Sequence, residues 1–158
     1  MRRRGVGELQ LELGGTTQRV VFEYPRVRWR CIGCGMCCRD LPGRERRVLL
    51  LPQDIERIEA AGHRGFYQPA EEPPFTGIIS KKHGVCVFHS DQGCEVYPHR
   101  PLLCRLYPFW VEVREGVYVV GFDETCPGRG EAELGEEFFA RLLGDALRSV
   151  GLPAVNQA

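Results

Sequence analysis

Lysine and asparagine are almost absent from this chain: Lys81 and Lys82 are its only lysines and Asn156 its only asparagine. Positive charge therefore rests on arginine, a bias that fits a thermophile or a GC-rich genome. Neither sign of charge dominates, since 21 basic and 21 acidic residues leave a formal net charge of zero. A neutral chain has no long-range field with which to gather polyanions, so nucleic acid is not an expected partner. Arg2, Arg3 and Arg4 form a basic tip, which reads as a solvated tail. No stretch reaches the roughly 18 consecutive apolar residues of a membrane span. The basic start has no apolar run behind it, as a secretory signal requires. The expected location is cytoplasmic, with no membrane association. Two cofactor signatures are missing as well. No G-x-G-x-x-G turn follows a strand, and no C-x-x-x-C-x-x-C spacing of the radical adenosylmethionine type occurs.

Cysteine, in contrast, is abundant, with eight in 158 residues. The length fits a single domain over 1–158, with a core over 29–128, and the 43% hydrophobic and 27% charged residues are ordinary for a globular chain. In a reducing compartment, so many thiols point to metal or redox chemistry rather than structural disulfides. A disulfide-stapled interaction module stays open as an alternative, because hyperthermophile cytosols tolerate disulfides.

Leu9, Leu11 and Leu13 alternate with polar residues, Gly14-Gly15 offers a turn, and Arg19 to Tyr24 is rich in β-formers, which predicts two strands ended by Pro25. Val48 to Leu51 reads as a short strand, and Pro52 suits the first turn of a helix through Ile58 that Gly62 stops. His63 to Pro74, rich in Pro, Gly and Glu, reads as a loop. Gly84 to His89 reads as a strand, Ser90 to Gly93 as a turn and Cys94 to Tyr97 as a short return. Pro101 opens a helical turn through Leu106. Trp110 to Val113 and Val117 to Val120 flank Arg114-Glu115-Gly116 as a hairpin. The last element, about 131–150, is an amphipathic helix bearing Leu134, Phe138, Leu142, Leu143, Ala146, Leu147 and Val150. Its apolar face caps the core or offers a surface to a protein partner.

Thiolate is a soft donor that suits zinc, iron and iron–sulfur clusters. Cys31, Cys34 and Cys37 form a C-x-x-C-x-x-C run, whose spacing lets sulfurs on one tight loop meet a common centre, and Gly33 and Gly35 suit such a loop. Cys126, followed by Pro127, is a candidate for the remote fourth ligand. Cys38, Cys86, Cys94 and Cys104 then make a second set of four. A single site with spare thiols is the alternative. His89 and His99 sit among the cysteines as possible substitutes for one ligand, or as ordinary hydrogen-bonded residues. Arg100 and Arg105 flank Cys104, where a guanidinium either offsets the charge of a thiolate centre or pairs with a carboxylate. Adjacent side chains point to opposite faces in an extended chain, and even in a turn they diverge widely. Cys37 is thus expected to join Cys31 and Cys34, while Cys38 turns toward the segment from Cys86 to Cys104.

Cys31-Ile32-Gly33-Cys34-Gly35-Met36-Cys37-Cys38, with Cys94-Glu95-Val96-Tyr97, Arg100-Pro101-Leu102-Leu103-Cys104-Arg105 and Tyr107-Pro108-Phe109, resembles the CxxCxxCC cysteine-cluster family, whose YkgJ-like members are described as zinc- or iron-chelating. The resemblance covers about Trp29 to Gly128. It implies Cys31, Cys34, Cys37, Cys38, Cys94 and Cys104 as ligands, with Cys86 and Cys126 at less distinctive positions. Flagellin lysine N-methylases belong to the same family and imply an iron–sulfur centre.

These readings predict a small α+β domain, stapled by metal, with short antiparallel strands and two or three helices. The expected function is metal binding through cysteine thiolates, with an iron–sulfur cluster of the 4Fe–4S kind or zinc as cofactor. A cluster-dependent modifying enzyme such as a lysine N-methylase is the alternative in the enzyme class.

Overall fold

The computed structural model describes residues 4–151. Arg2 and Arg3 of the basic tip lie outside the described residues; Arg4 pairs with Glu23 at 3.5 Å and donates to the Val120 carbonyl. The described residues form two compact units, one from 4–32 and 108–151, the other from Gly33–Tyr107. With three helices and several short-stranded sheets, the class is α+β. Among the described residues, no helix is long and apolar enough to cross a membrane.

In the first unit, β1 (Gly5–Leu13) and β2 (Thr16–Tyr24) form the hairpin that the alternation of leucines predicts. β10 (Phe109–Arg114) and β11 (Val117–Phe122) form the second. The two hairpins join through a parallel pairing of β11 with β2, giving the order β1-β2-β11-β10. The long helix α3 (Glu136–Val150) packs on β1. It starts later than the predicted 131, because the segment before it is held extended by bonds from Gly130 N–H to the Arg28 carbonyl and from Leu134 N–H to the Val27 carbonyl. Gly7 lets the helix approach: a Cβ there would stand 2.7 Å from both the Glu136 side chain and the Phe22 ring. The α3 residues Phe139, Leu143, Ala146 and Leu147 are fully buried, as are Leu11, Phe22 and Val120 from the sheet. Each such large side chain contributes about 1.5–3 kcal/mol of transfer free energy.

In the second unit, β3 (Leu49–Leu50), β4 (Tyr67–Glu72) and β5 (Phe75–Ile79) form a sheet in the order β3-β5-β4. β4 lies within the segment that its Pro and Gly content marks as a loop. Proline is tolerated there because β4 is an edge strand whose register shifts between Pro69 and Glu72. Helix α1 (Pro52–Ala60) follows β3, with Ile55 and Ile58 buried. The predicted strand Gly84 to His89 is divided between two miniature hairpins: β6 (Lys81–Lys82) with β7 (Val85–Cys86), and β8 (His89–Ser90) with β9 (Gly93–Cys94). Helix α2 (Leu102–Leu106) closes the unit.

Candidate metal centre

The cysteine loop enters the second unit through Gly33 and Gly35, whose φ angles of 72° and 75° lie in the left-handed region that the tight-loop reading requires. A 3₁₀ turn, Met36–Cys38, follows, closed by Cys38 N–H donating to the Gly35 carbonyl at 3.1 Å. The chain leaving this turn is anchored to the β6–β7 hairpin. Arg39 forms a bridge with Val85, Asp40 N–H donates to the Gly84 carbonyl at 2.7 Å, and Lys81 donates to the Asp40 carboxylate at 2.8 Å. The Lys81 ammonium and the Arg46 N–H hold the Asp40 carboxyl below its ordinary pKa. Cys37 and Cys38 are thereby set beside the hairpin that carries Cys86.

The other sulfurs arrive on short elements. Cys86 ends β7 and accepts hydrogen bonds from the main-chain N–H groups of Phe88 and His89. Cys94 ends β9 and accepts from the Val96 N–H. Cys104 rides on α2, which a buried carboxylate positions. Asp54, 1% exposed, accepts from Leu51 N–H at 2.9 Å and from Leu102 N–H at 3.3 Å. The same carboxylate pairs with Arg57 at 2.9 Å and Arg105 at 3.9 Å. One side chain thus caps α1, holds the start of α2 and fixes the position from which Cys104 projects.

Cys37, Cys38, Cys86, Cys94 and Cys104 are close enough to disturb one another's ionisation. Burial is the main cause that raises the thiols of Cys86 and Cys94, and it pushes Cys104 up to about 12. Cys37 and Cys38 share a hydrogen bond that lowers Cys37 and raises Cys38. The Arg46 and Arg100 charges lower Cys37 further. The expected divergence of Cys37 and Cys38 is therefore corrected: their sulfurs stand 4.0 Å apart. Wide divergence is expected even in a turn, but the tight 3₁₀ turn Met36–Cys38 sets successive side chains about 120° apart and leaves the two sulfurs within reach of each other. Cys37 and Cys38 both lie within electrostatic range of Cys86 and Cys104.

Cys31 and Cys34 are exposed on the approach to the turn. Cys126 belongs to the first unit, where the Trp29 indole N–H donates to its sulfur at 3.3 Å. None of the described cysteines is joined in a disulfide. Of the two arginines flanking Cys104, Arg105 turns to Asp54 and the Arg100 carbonyl, which is the carboxylate-pair reading. Arg100 lies over the Tyr97 ring at 3.9 Å, and its charge acts on Cys37 and Cys94. Arg46 has no cysteine neighbour in sequence to announce it. It lies over the Tyr107 ring at 4.9 Å, donates from Nε to the Cys37 carbonyl at 3.1 Å, and acts on Cys37 and Cys104.

The donor set suits a soft or borderline metal: thiols gathered from separate elements, main-chain N–H groups aimed at sulfur, and arginines around them. Among the described residues, no three His, Cys, Asp or Glu side chains already stand closed around one metal-sized point. Buried nitrogens without partners (Arg39 Nε, Arg46 Nη2 and His89 Nδ1) also lie in this region. All belong to cationic or donor side chains, which fits an anionic centre.

The family model CxxCxxCC, "Putative zinc- or iron-chelating domain", matches residues 30–127. The chain is similar to "Uncharacterized protein MJ0661" of Methanocaldococcus jannaschii, 29% identical over 130 residues, covering 72% of this chain and 65% of that protein. The match thus spans just under two thirds of the relative's length. No solved structure matches the chain.

Proposed function

The chain belongs to the CxxCxxCC family, and from that premise we propose that it is a metal-binding protein whose centre is held by Cys37, Cys38, Cys86, Cys94 and Cys104. The observation that carries this reading is the gathering of these thiols, drawn from the 3₁₀ turn, β7, β9 and α2, into mutual electrostatic range. Thiols brought together from separate elements offer several soft donors to one cation, which binds them as thiolates with loss of their protons. A disulfide framework would instead bring cysteines together in separate pairs.

The finer reading is an iron–sulfur centre. Zinc and a 4Fe–4S cluster each take four donors, and what favours the cluster is the C-x-x-C-x-x-C run of Cys31, Cys34 and Cys37, a spacing that cluster proteins use. A bound cluster would supply one-electron chemistry, with charge and hydrogen bonding around sulfur setting its potential. The protein's own part is to hold the thiols on short, pinned elements, to offset negative charge with Arg46 and Arg100, and to fix Cys104 through Asp54. By metal staple, the centre would also join the 3₁₀ turn, β7, β9 and α2 of the second unit.

Anaerobic purification followed by analysis of iron, zinc and acid-labile sulfide tests this. The reading expects a brown protein with stoichiometric iron and sulfide. Colourless protein with stoichiometric zinc would keep the metal centre and remove the cluster. Protein that neither retains nor takes up either metal would remove both.

A further inference from the structure

We propose that Arg39, Arg46 and His89 form a hydrogen-bonding shell for the metal-bound sulfurs, with His89 acting as a donor through Nδ1 and not as a ligand. This rests on the metal-binding reading above. The starting observation is that Arg39 Nε, Arg46 Nη2 and His89 Nδ1 are buried and have no hydrogen-bond partner among the described residues. Buried polar groups are rarely left this way, and each such atom calls for an explanation.

The tautomer of His89 follows from its neighbour. Arg39 Nη2 lies 3.1 Å from His89 Nε2. A guanidinium only donates, so Nε2 is the acceptor, and in the neutral ring the proton resides on Nδ1. Nδ1 is thus a buried N–H pointing at nothing, and it has no lone pair for a metal. A ligand role would need the proton moved to Nε2, against the Arg39 N–H. The three orphan atoms are consequently all donors, and what is missing is an acceptor.

Each donor is also tied to the thiols. Arg39 reaches the thiols through His89, whose Nε2 its guanidinium binds at 3.1 Å. His89 pairs with Cys94 across β8 and β9, so the two side chains share a face, and its main-chain N–H already serves the Cys86 sulfur. Arg46 acts on Cys37 and Cys104 and is held by the Cys37 carbonyl. A protonated thiol is a weak acceptor, whereas a metal-bound thiolate carries negative charge and takes charge-assisted bonds. The shell is therefore matched to the loaded state. Gly35 leaves it room, since a Cβ there would come within 3.0 Å of His89 Cε1.

The test titrates the metal-free full chain with cobalt(II) without oxygen, following the thiolate-to-cobalt charge-transfer band and the ligand-field bands. Arg39→Met, Arg46→Met and His89→Ala are expected to weaken cobalt binding by about 10- to 100-fold. They should move the charge-transfer band to lower energy while stoichiometry and ligand-field bands stay as in the wild type. His89→Asn, whose amide N–H reaches the Nδ1 position, is expected to restore the band. Should His89→Ala fail to fold, His89→Asn against His89→Gln carries the same contrast. Arg47→Met removes one charge at an exposed pair with Glu72 and serves as the control. Variants that match Arg47→Met in band energy and affinity would overturn the shell, and so would altered ligand-field bands in His89→Ala, which would mark a lost ligand. A wild type with no thiolate–cobalt band would overturn the metal-binding reading itself, a separate and recognisable outcome.

Discussion

The sulfur atoms of Cys37 and Cys38 lie 4.0 Å apart at the end of a 3₁₀ turn, joined by a hydrogen bond that lowers one thiol and raises the other. Both lie within electrostatic range of Cys86 and Cys104, which supports the proposal of one shared centre. Cys37→Ser and Cys38→Ser should consequently have the same effect, each abolishing most of the metal content of anaerobically prepared protein. Retention of full metal by one variant and loss by the other, measured by elemental analysis, would restore the division into two sites.

Asp54 is a second point of leverage. Its buried carboxylate binds Leu51, Arg57, Leu102 and Arg105, so removing it leaves two guanidiniums and two main-chain donors short of an acceptor. Asp54→Ala should destabilise the metal-free chain by about 2–3 kcal/mol in urea unfolding, from the lost cap and the buried main-chain N–H groups left unpaired. It should also weaken metal binding, because the start of α2 no longer holds Cys104 in place. A change within about 0.5 kcal/mol, the range of ordinary surface substitutions, would show that the network is incidental.

Metal uptake should release protons. Burial raises Cys86 and Cys94 and pushes Cys104 up to about 12, so these thiols are protonated near neutral pH and must lose their protons to become ligands. Apparent affinity is expected to rise with pH across the neutral and mildly alkaline range, and a weakly buffered solution should acidify on adding metal. In the metal-free chain the same raised values act in the opposite sense. They favour the fold below the ordinary thiol pKa, and that contribution is lost as pH climbs toward the raised values. Affinity that falls with rising pH, or uptake without proton release, would contradict the thiol assignment.

What could be read from the sequence was largely local. Gly14-Gly15 and Glu115-Gly116 mark their hairpins because two-residue turns need φ above zero, and Pro52 marks the start of α1 because its ring already has the helical φ. The C-x-x-C spacing and the paired glycines likewise announce the cysteine loop. The parallel joining of β11 to β2 was hidden, since it links residues such as Phe22 and Tyr118 that are far apart in the chain. β4 was hidden by Pro69, which disfavours a central strand but not an edge. Arg46 carries no signal beyond its charge. Its place beside Cys37 depends on Tyr107 and on the loop that Asp40 pins, both of which are tertiary facts. The approach of the Cys37 and Cys38 sulfurs was hidden because it depends on how one 3₁₀ turn sets two neighbouring side chains, which residue type does not specify.

The central claim is that Cys37, Cys38, Cys86, Cys94 and Cys104 serve one metal centre, and differential alkylation tests it most directly. Metal-loaded and metal-stripped protein would be treated with iodoacetamide at one pH, and the rate at each cysteine read by peptide mass spectrometry. The account predicts that metal protects all of these thiols, and that its removal releases Cys37 most, because its thiol is lowered, and the raised thiols less. An equal rate at Cys37 with and without bound metal would contradict it.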